Sequence, residues 1–174
     1  QTTDKKVNQV TPALFNKADT PEKMVDLDVD IIKSLIQEIG LAPTKAKNLK
    51  KMAQQIIDAG GLRADWVFLE SLAGVGHKTA SVVMSQWYEI PAFPVDTHIH
   101  RLAQRWGLSK GKNVGQTERD LKKIFPKDSW NKLHLQIIFW GREFCQAQQC
   151  HGIKCKICKA TYPKRSRPFS HNKP

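Results

Sequence analysis

Lys78 stands in the stretch SLAGVGHKTASVV, and Asp96 follows it by eighteen positions in FPVDTHIHRLAQRWG. A primary amine becomes a nucleophile once it has lost its proton. A carboxylate nearby can take that proton or steady a developing positive charge. The pair therefore suits attack on an electrophilic carbon. Each residue also has a plainer use. A lysine after a glycine turn reads most simply as a phosphate contact, and an aspartate before an amphipathic run reads as an N-cap. Cys145, Cys150, Cys155 and Cys158 form the second group with chemistry, spaced C-x4-C-x4-C-x2-C. Four thiols so close in a cytosolic chain read as a metal site rather than as disulfides. Zinc takes four thiolates, and so does a [4Fe–4S] cluster. The bare spacing does not separate the two.

The elements around Lys78 are helical. ADWVFLESL precedes the turn Gly74-Val75-Gly76, and KTASVVMSQWYEI follows it. Glycines permit positive φ and close backbone approach. The first N–H groups of the second helix have no intrahelical partners and face a positive dipole end, where a phosphate fits. Such a turn between two helices is a sequence-independent grip on DNA, or simply a tight connection. Lys78, in the first turn, is disfavoured as a cation by that dipole. Partial burial would lower its pKa further and free the amine for attack.

Helical periodicity continues along the chain. Ile31, Ile32, Leu35, Ile36 and Ile39 make one stripe, with Asp28 or Asp30 as its cap and Gly40 as its end. TKAKNLKKMAQQIIDAGG, DTHIHRLAQRWG, NVGQTERDLKKIF and SWNKLHLQIIFWGREF complete the set. No stretch alternates as a strand does. The expectation is an all-α protein of about seven or eight helices. From Cys145 the periodicity fades, which divides the chain into a helical region, 1–144, and a loop-rich cysteine module with a basic tail, 145–174.

Charge names a partner class. Lys and Arg number 28 against 16 acidic residues, a formal +12, and nothing acidic follows Phe144. That excess suits a polyanion, nucleic acid first. No apolar run approaches the ~18 residues that span a bilayer, and no signal-peptide pattern is present. The expected setting is the cytoplasm, with the DNA.

Taken together, the motifs resemble the endonuclease III family of helix-hairpin-helix DNA glycosylases. LAGVGHKTASVV resembles its LPGVGRKTA hairpin, and VDTHIHRLAQRWGL its VDTHIxR loop. QTTDKKVNQVTPALF, GLAPTKAKNL, GKNVGQTERDLKKIFP and LHLQIIFWGREFC follow family segments in order, over nearly the whole chain. The resemblance implies a bifunctional glycosylase and AP lyase of base-excision repair. It would act as a monomer on duplex DNA with damaged, oxidised-pyrimidine bases or abasic sites. Lys78 would be the nucleophile and Asp96 its partner. Gln1 would fill the space of the flipped base, and Leu41 would wedge the opposite strand. Gly74, Gly76 and His77 would meet the phosphates. The cysteines would hold a [4Fe–4S] cluster, with zinc or no metal as alternatives.

The chain departs from the family pattern in several places. Ala73 stands for a proline, and His77 for an arginine, which makes one phosphate contact weaker or pH-dependent. The family cysteines run C-x6-C-x2-C-x5-C. Here Cys145 matches the first ligand and Cys155 and Cys158 the close pair, so Cys150 must stand in for the fourth. The chain also opens inside the family fold. Two rivals stay in view: a non-catalytic helix-hairpin-helix DNA-binding protein and a thymine-mismatch glycosylase. Adenine-mismatch glycosylases lack a lysine at the place of Lys78.

Overall fold

A computed structural model describes residues 2–173. Gln1, expected to fill the vacated base space, lies outside the described residues. The described residues carry ten α-helices and one 3₁₀ turn, and no strand. The all-α expectation is met, with more helices than periodicity suggested. The chain divides into two compact units, Gln1–Gly76 and His77–Pro174. No helix of the structure is long and apolar enough to cross a membrane.

The first unit holds α1 (Asp4–Phe15), α2 (Pro21–Asp26), α3 (Val29–Leu35), α4 (Ala42–Asp58) and α5 (Trp66–Ser71). α1 and α2 carry no clear apolar stripe in the sequence. Their signals are capping ones: Thr3 accepts from the Lys6 N–H, and Thr20 caps α2 with Pro21 in its first turn. Asp28 caps α3, accepting from the Asp30 N–H at 2.7 Å. That helix stops at Leu35 rather than at Gly40, and a turn closed by Ile39 N–H to the Ile36 carbonyl leads to Leu41. Val10, Leu14, Met24, Ile32, Ile36, Ala46 and Ala53 form the core, with α4 packed on α2 and α3.

The second unit holds α6 (His77–Gln86), α7 (Thr97–Arg105), α8 (Val114–Ile124), the 3₁₀ turn Lys127–Ser129, α9 (Trp130–Glu143) and α10 (Lys156–Thr161). The stretch after Lys78 reads as helix through Ile90, yet α6 ends at Gln86. Glu89 takes φ 55°, and the Tyr88 and Ile90 N–H groups fold back onto the Val83 and Met84 carbonyls, so the helix is capped and reversed there. From Pro91 to Asp96 the backbone is neither helix nor strand. Phe93 and Val95 bury beneath it against Ile99, Leu102, Leu121 and Ile137. All four cysteines belong to this core.

Candidate catalytic and metal-binding sites

The site begins at the turn after α5. Gly74 takes φ 79°, and a Cβ there would meet Asn48 Nδ2 at 2.9 Å, so only glycine fits. The Val75 N–H closes the turn onto the Leu72 carbonyl at 3.0 Å, and the Ala73 N–H donates to Gln55 Oε1 at 2.8 Å. The turn is thus held without the proline that Ala73 replaces. A Cβ at Gly76 would meet nothing within 4 Å, so open space lies beside that residue. Leu41, at the start of α4, is 58% exposed and takes φ 63°. A left-handed leucine with a free apolar tip is a strained and unusual pairing.

Lys78 opens the second unit in the first turn of α6, and its side chain is exposed. The partial burial that sequence reading offered as a means of lowering its pKa is not present. Exposure leaves the amine reachable. Asp96 is half-buried and caps α7, its Oδ1 accepting from the Ile99 N–H at 2.8 Å. A fully buried Ile99 anchors that first turn.

His134 on α9 relates these two residues. It is buried, and its Nδ1 lies 3.3 Å from the Trp130 carbonyl. Burial pushes its pKa down, the Lys78 charge pushes it down further, and the Asp96 charge pulls it up. Amine and carboxylate therefore act on one imidazole. His98, beside the cap, is also held below the ordinary histidine value, by burial first, with Asp96 opposing. Nothing in LHLQIIF marks His134 as the histidine that is buried.

His77, expected at a phosphate, has its Nε2 2.8 Å from Glu118 Oε2. Glu118 is buried and pairs with Lys122 as well. The carboxylate thus orients the imidazole that stands where the family carries arginine.

The four cysteine Sγ atoms all lie within 4.8 Å of one another, and all four residues are buried. Three N–H groups point at sulfur: Arg105 Nη1 to Cys145 at 3.3 Å, the Cys155 amide to Cys150 at 3.4 Å, and the Cys158 amide to Cys155 at 3.5 Å. Burial raises the Cys145 thiol to about 11 against the Arg105 hydrogen bond, and burial raises Cys158 too. Burial also acts to raise Cys150, but the Cys155 and Lys154 amides and Cys145 outweigh it and bring that thiol to about 6. Arg101 and Arg105 on α7 are buried, and among the described residues no carboxylate lies within 4 Å of either. Their N–H groups go to the carbonyls of Gly141, Cys145, Gln146 and Ala147. Two buried cations need negative charge close by. Thiolates holding a metal would supply it, beside the Asp96 charge that acts on Arg101. The four cysteines form a site that can hold a metal centre, and the thiolate donor set is compatible with iron–sulfur binding.

Comparison with known proteins gives a consistent picture. The family model described as HhH-GPD superfamily base excision DNA repair protein matches residues 1–127. Endonuclease III of Treponema pallidum (strain Nichols) is 42% identical over 157 residues, covering 89% of this chain and 74% of the relative. Endonuclease III of Escherichia coli (strain K12) is 38% identical over 159 residues, covering 90% and 75%. A solved structure of a trapped endonuclease III–DNA covalent intermediate, the estranged-adenine complex, superposes with a TM-score of 0.84 at 38% identity, over 89% of this chain and 74% of that one. A thermostable thymine-DNA glycosylase shares the fold with a TM-score of 0.80 at 23% identity, over 94% and 79%.

Proposed function

This chain belongs to the endonuclease III family of the HhH-GPD superfamily and is a DNA glycosylase and AP lyase of base-excision repair, and from that premise we propose how its residues divide the work. Lys78 is the nucleophile and Asp96 its partner, acting on an oxidised pyrimidine flipped out of duplex DNA. The observation that carries this reading is an exposed lysine amine in the first turn of α6 together with the half-buried carboxylate that caps α7, at the two places where the family motifs set them. The covalent endonuclease III–DNA intermediate among its structural relatives supports it.

The neutral Lys78 amine attacks C1′, and the bond from C1′ to the base breaks with its electrons leaving on the base. Asp96 accepts the amine proton or offsets positive charge growing on the sugar. The nitrogen, having lost one proton, pushes its lone pair onto C1′ as the C1′–O4′ bond breaks and O4′ takes up a proton, which leaves a protonated Schiff base joined to the ring-opened sugar. That iminium acidifies the C2′ proton. Its removal expels the 3′ phosphate oxygen, and the strand breaks on that side.

The remaining residues hold the DNA. Amides at Gly74 and Gly76, and those opening α6, grip phosphates without reading sequence. His77 joins them when protonated, in competition with its bond to Glu118. Leu41 wedges the opposite strand with its exposed tip, and Gln1 fills the vacated space. The chain acts as a monomer. Region 1–144 carries base removal, and 145–174 is the cysteine module. A [4Fe–4S] cluster, which the family resemblance implies, is supported by four buried thiolates and the acid-free basic segment around them. The close spacing of the sulfurs does not support it.

The test is reduction with borohydride in the presence of abasic duplex DNA. A Schiff base is reducible to a stable amine, so a covalent protein–DNA band is expected, and it should vanish in Lys78→Ala. Trapping that survives in that variant would refute Lys78 as the nucleophile. The same outcome separates this enzyme from a non-catalytic hairpin protein, which binds but never traps.

A further inference from the structure

The sulfur cage is smaller than a four-iron cluster requires. On a cubane each thiolate binds a different iron. An iron tetrahedron with edges of roughly 2.7 Å and outward Fe–S bonds of roughly 2.3 Å sets the sulfurs roughly 6 Å apart. Around a single tetrahedral ion the bonds share one centre, and metal–sulfur distances of about 2.3 Å set the sulfurs about 3.8 Å apart. Here Cys145 and Cys158 Sγ are 3.7 Å apart, and no pair among the four exceeds 4.8 Å.

We propose that Cys145, Cys150, Cys155 and Cys158 hold one tetrahedral zinc ion in place of the four-iron cluster implied by the family resemblance. Three observations carry this. The first is the tetrahedral edge just given. The second is the Cys155–Cys158 pair, which forms a tight knuckle whose Cys158 amide donates to the Cys155 sulfur at 3.5 Å while that cysteine caps α10. The third is the chain itself. The family pattern places a ligand six residues beyond its close pair, and this chain has no cysteine after Cys158. Cys150 approaches from the other side, and its sulfur accepts from the Cys155 amide at 3.4 Å.

Charge does not distinguish the two centres, since either would set negative charge beside Arg101 and Arg105. Zn²⁺ with four thiolates carries a net −2, which offsets the buried Arg101 and Arg105 guanidiniums. Arg105 meets part of that charge directly, donating to the Cys145 sulfur at 3.3 Å. The site has no open position, since all four thiolates point inward, so the ion is structural rather than catalytic. It closes the segment that follows α9 on itself, and Arg105 of α7 reaches that segment through the Cys145 sulfur.

The test is metal stoichiometry on the full chain, grown with both iron and zinc and purified without oxygen. The expected result is about one zinc per chain, no acid-labile sulfide and no broad absorbance near ~400 nm. Exchange with Co²⁺ should then give visible bands of a tetrahedral four-thiolate ion, which Cys150→Ser shifts or abolishes. About four irons with matching sulfide overturns the proposal. So does one iron without sulfide, or no metal with all four thiols free to react with a thiol reagent. None of these outcomes touches the assignment of Lys78, which borohydride trapping decides separately.

Discussion

Asp96 has two roles whose energies differ enough to be measured apart. As an N-cap, its Oδ1 holds the Ile99 N–H at 2.8 Å. Losing such a cap to alanine costs about 1 kcal/mol, within a range of about 0.5 to 2. As the carboxylate partner of Lys78 it contributes a rate factor on the order of 10²–10⁴, equivalent to about 3–5 kcal/mol of barrier. Asparagine keeps an oxygen where the cap needs one but carries no charge and takes no proton. Asp96→Asn should therefore unfold in urea within about 0.5 kcal/mol of the parent and lose base removal by two to four orders of magnitude. Asp96→Ala should lose both. Single-turnover release of an oxidised pyrimidine from duplex DNA measures the rate, and urea denaturation measures stability. The charge also bears on His134: without it, only the Trp130 and Asn131 backbone hydrogen bonds oppose burial and Lys78, so the His134 pKa falls further, which proton NMR can follow. An Asp96→Asn protein within threefold of parental activity would refute the chemical role. One as destabilised as Asp96→Ala would refute the capping account.

Lys78→Ala should abolish trapping yet change stability by less than about 0.5 kcal/mol, because the side chain is exposed; equal losses of folding and activity would contradict that separation. Gly76→Asp should fold normally, since a Cβ there meets nothing within 4 Å, and should weaken binding to every duplex by setting a carboxylate against phosphate. Gly74→Ala should instead destabilise by about 1–3 kcal/mol, from a left-handed backbone and the clash with Asn48; the reverse ranking in a denaturation assay would undo the turn geometry. DNA affinity should fall steeply as salt rises, because a chain of net charge +12 releases counterions on binding. Metal uptake should depend on pH. Cys145, held near about 11, and Cys158, also raised, are protonated in the metal-free protein at neutral pH and must each give up a proton. Apparent metal affinity should then rise by about two decades per pH unit between pH 7 and 9 from these two thiols, and a flat titration would contradict their placement.

Much of this protein was legible in one dimension, because its signals are local. Helix stripes come from a 3.6-residue period, and the turn at Gly74 comes from residues that alone tolerate its backbone. The cysteine cluster is contiguous, and the lysine and aspartate sit in short motifs that a family resemblance could place. Capping also worked at Asp28 and Asp96, where a side chain reaches only two or three residues forward. Other features needed the folded chain. α6 stops at Gln86 because backbone groups return onto Val83 and Met84, a closure that periodicity does not encode. Lys78 proved exposed, since its burial depends on which neighbours pack over it. Glu118 met His77 across 41 positions, and Arg105 met Cys145 across 40. His134 is buried on α9, which packs against α7, a setting that periodicity alone does not give. The spacing C-x4-C-x4-C-x2-C allowed zinc and iron–sulfur alike, because ligand count is a property of sequence, whereas the distance between ligands is set by the loops that carry them in three dimensions.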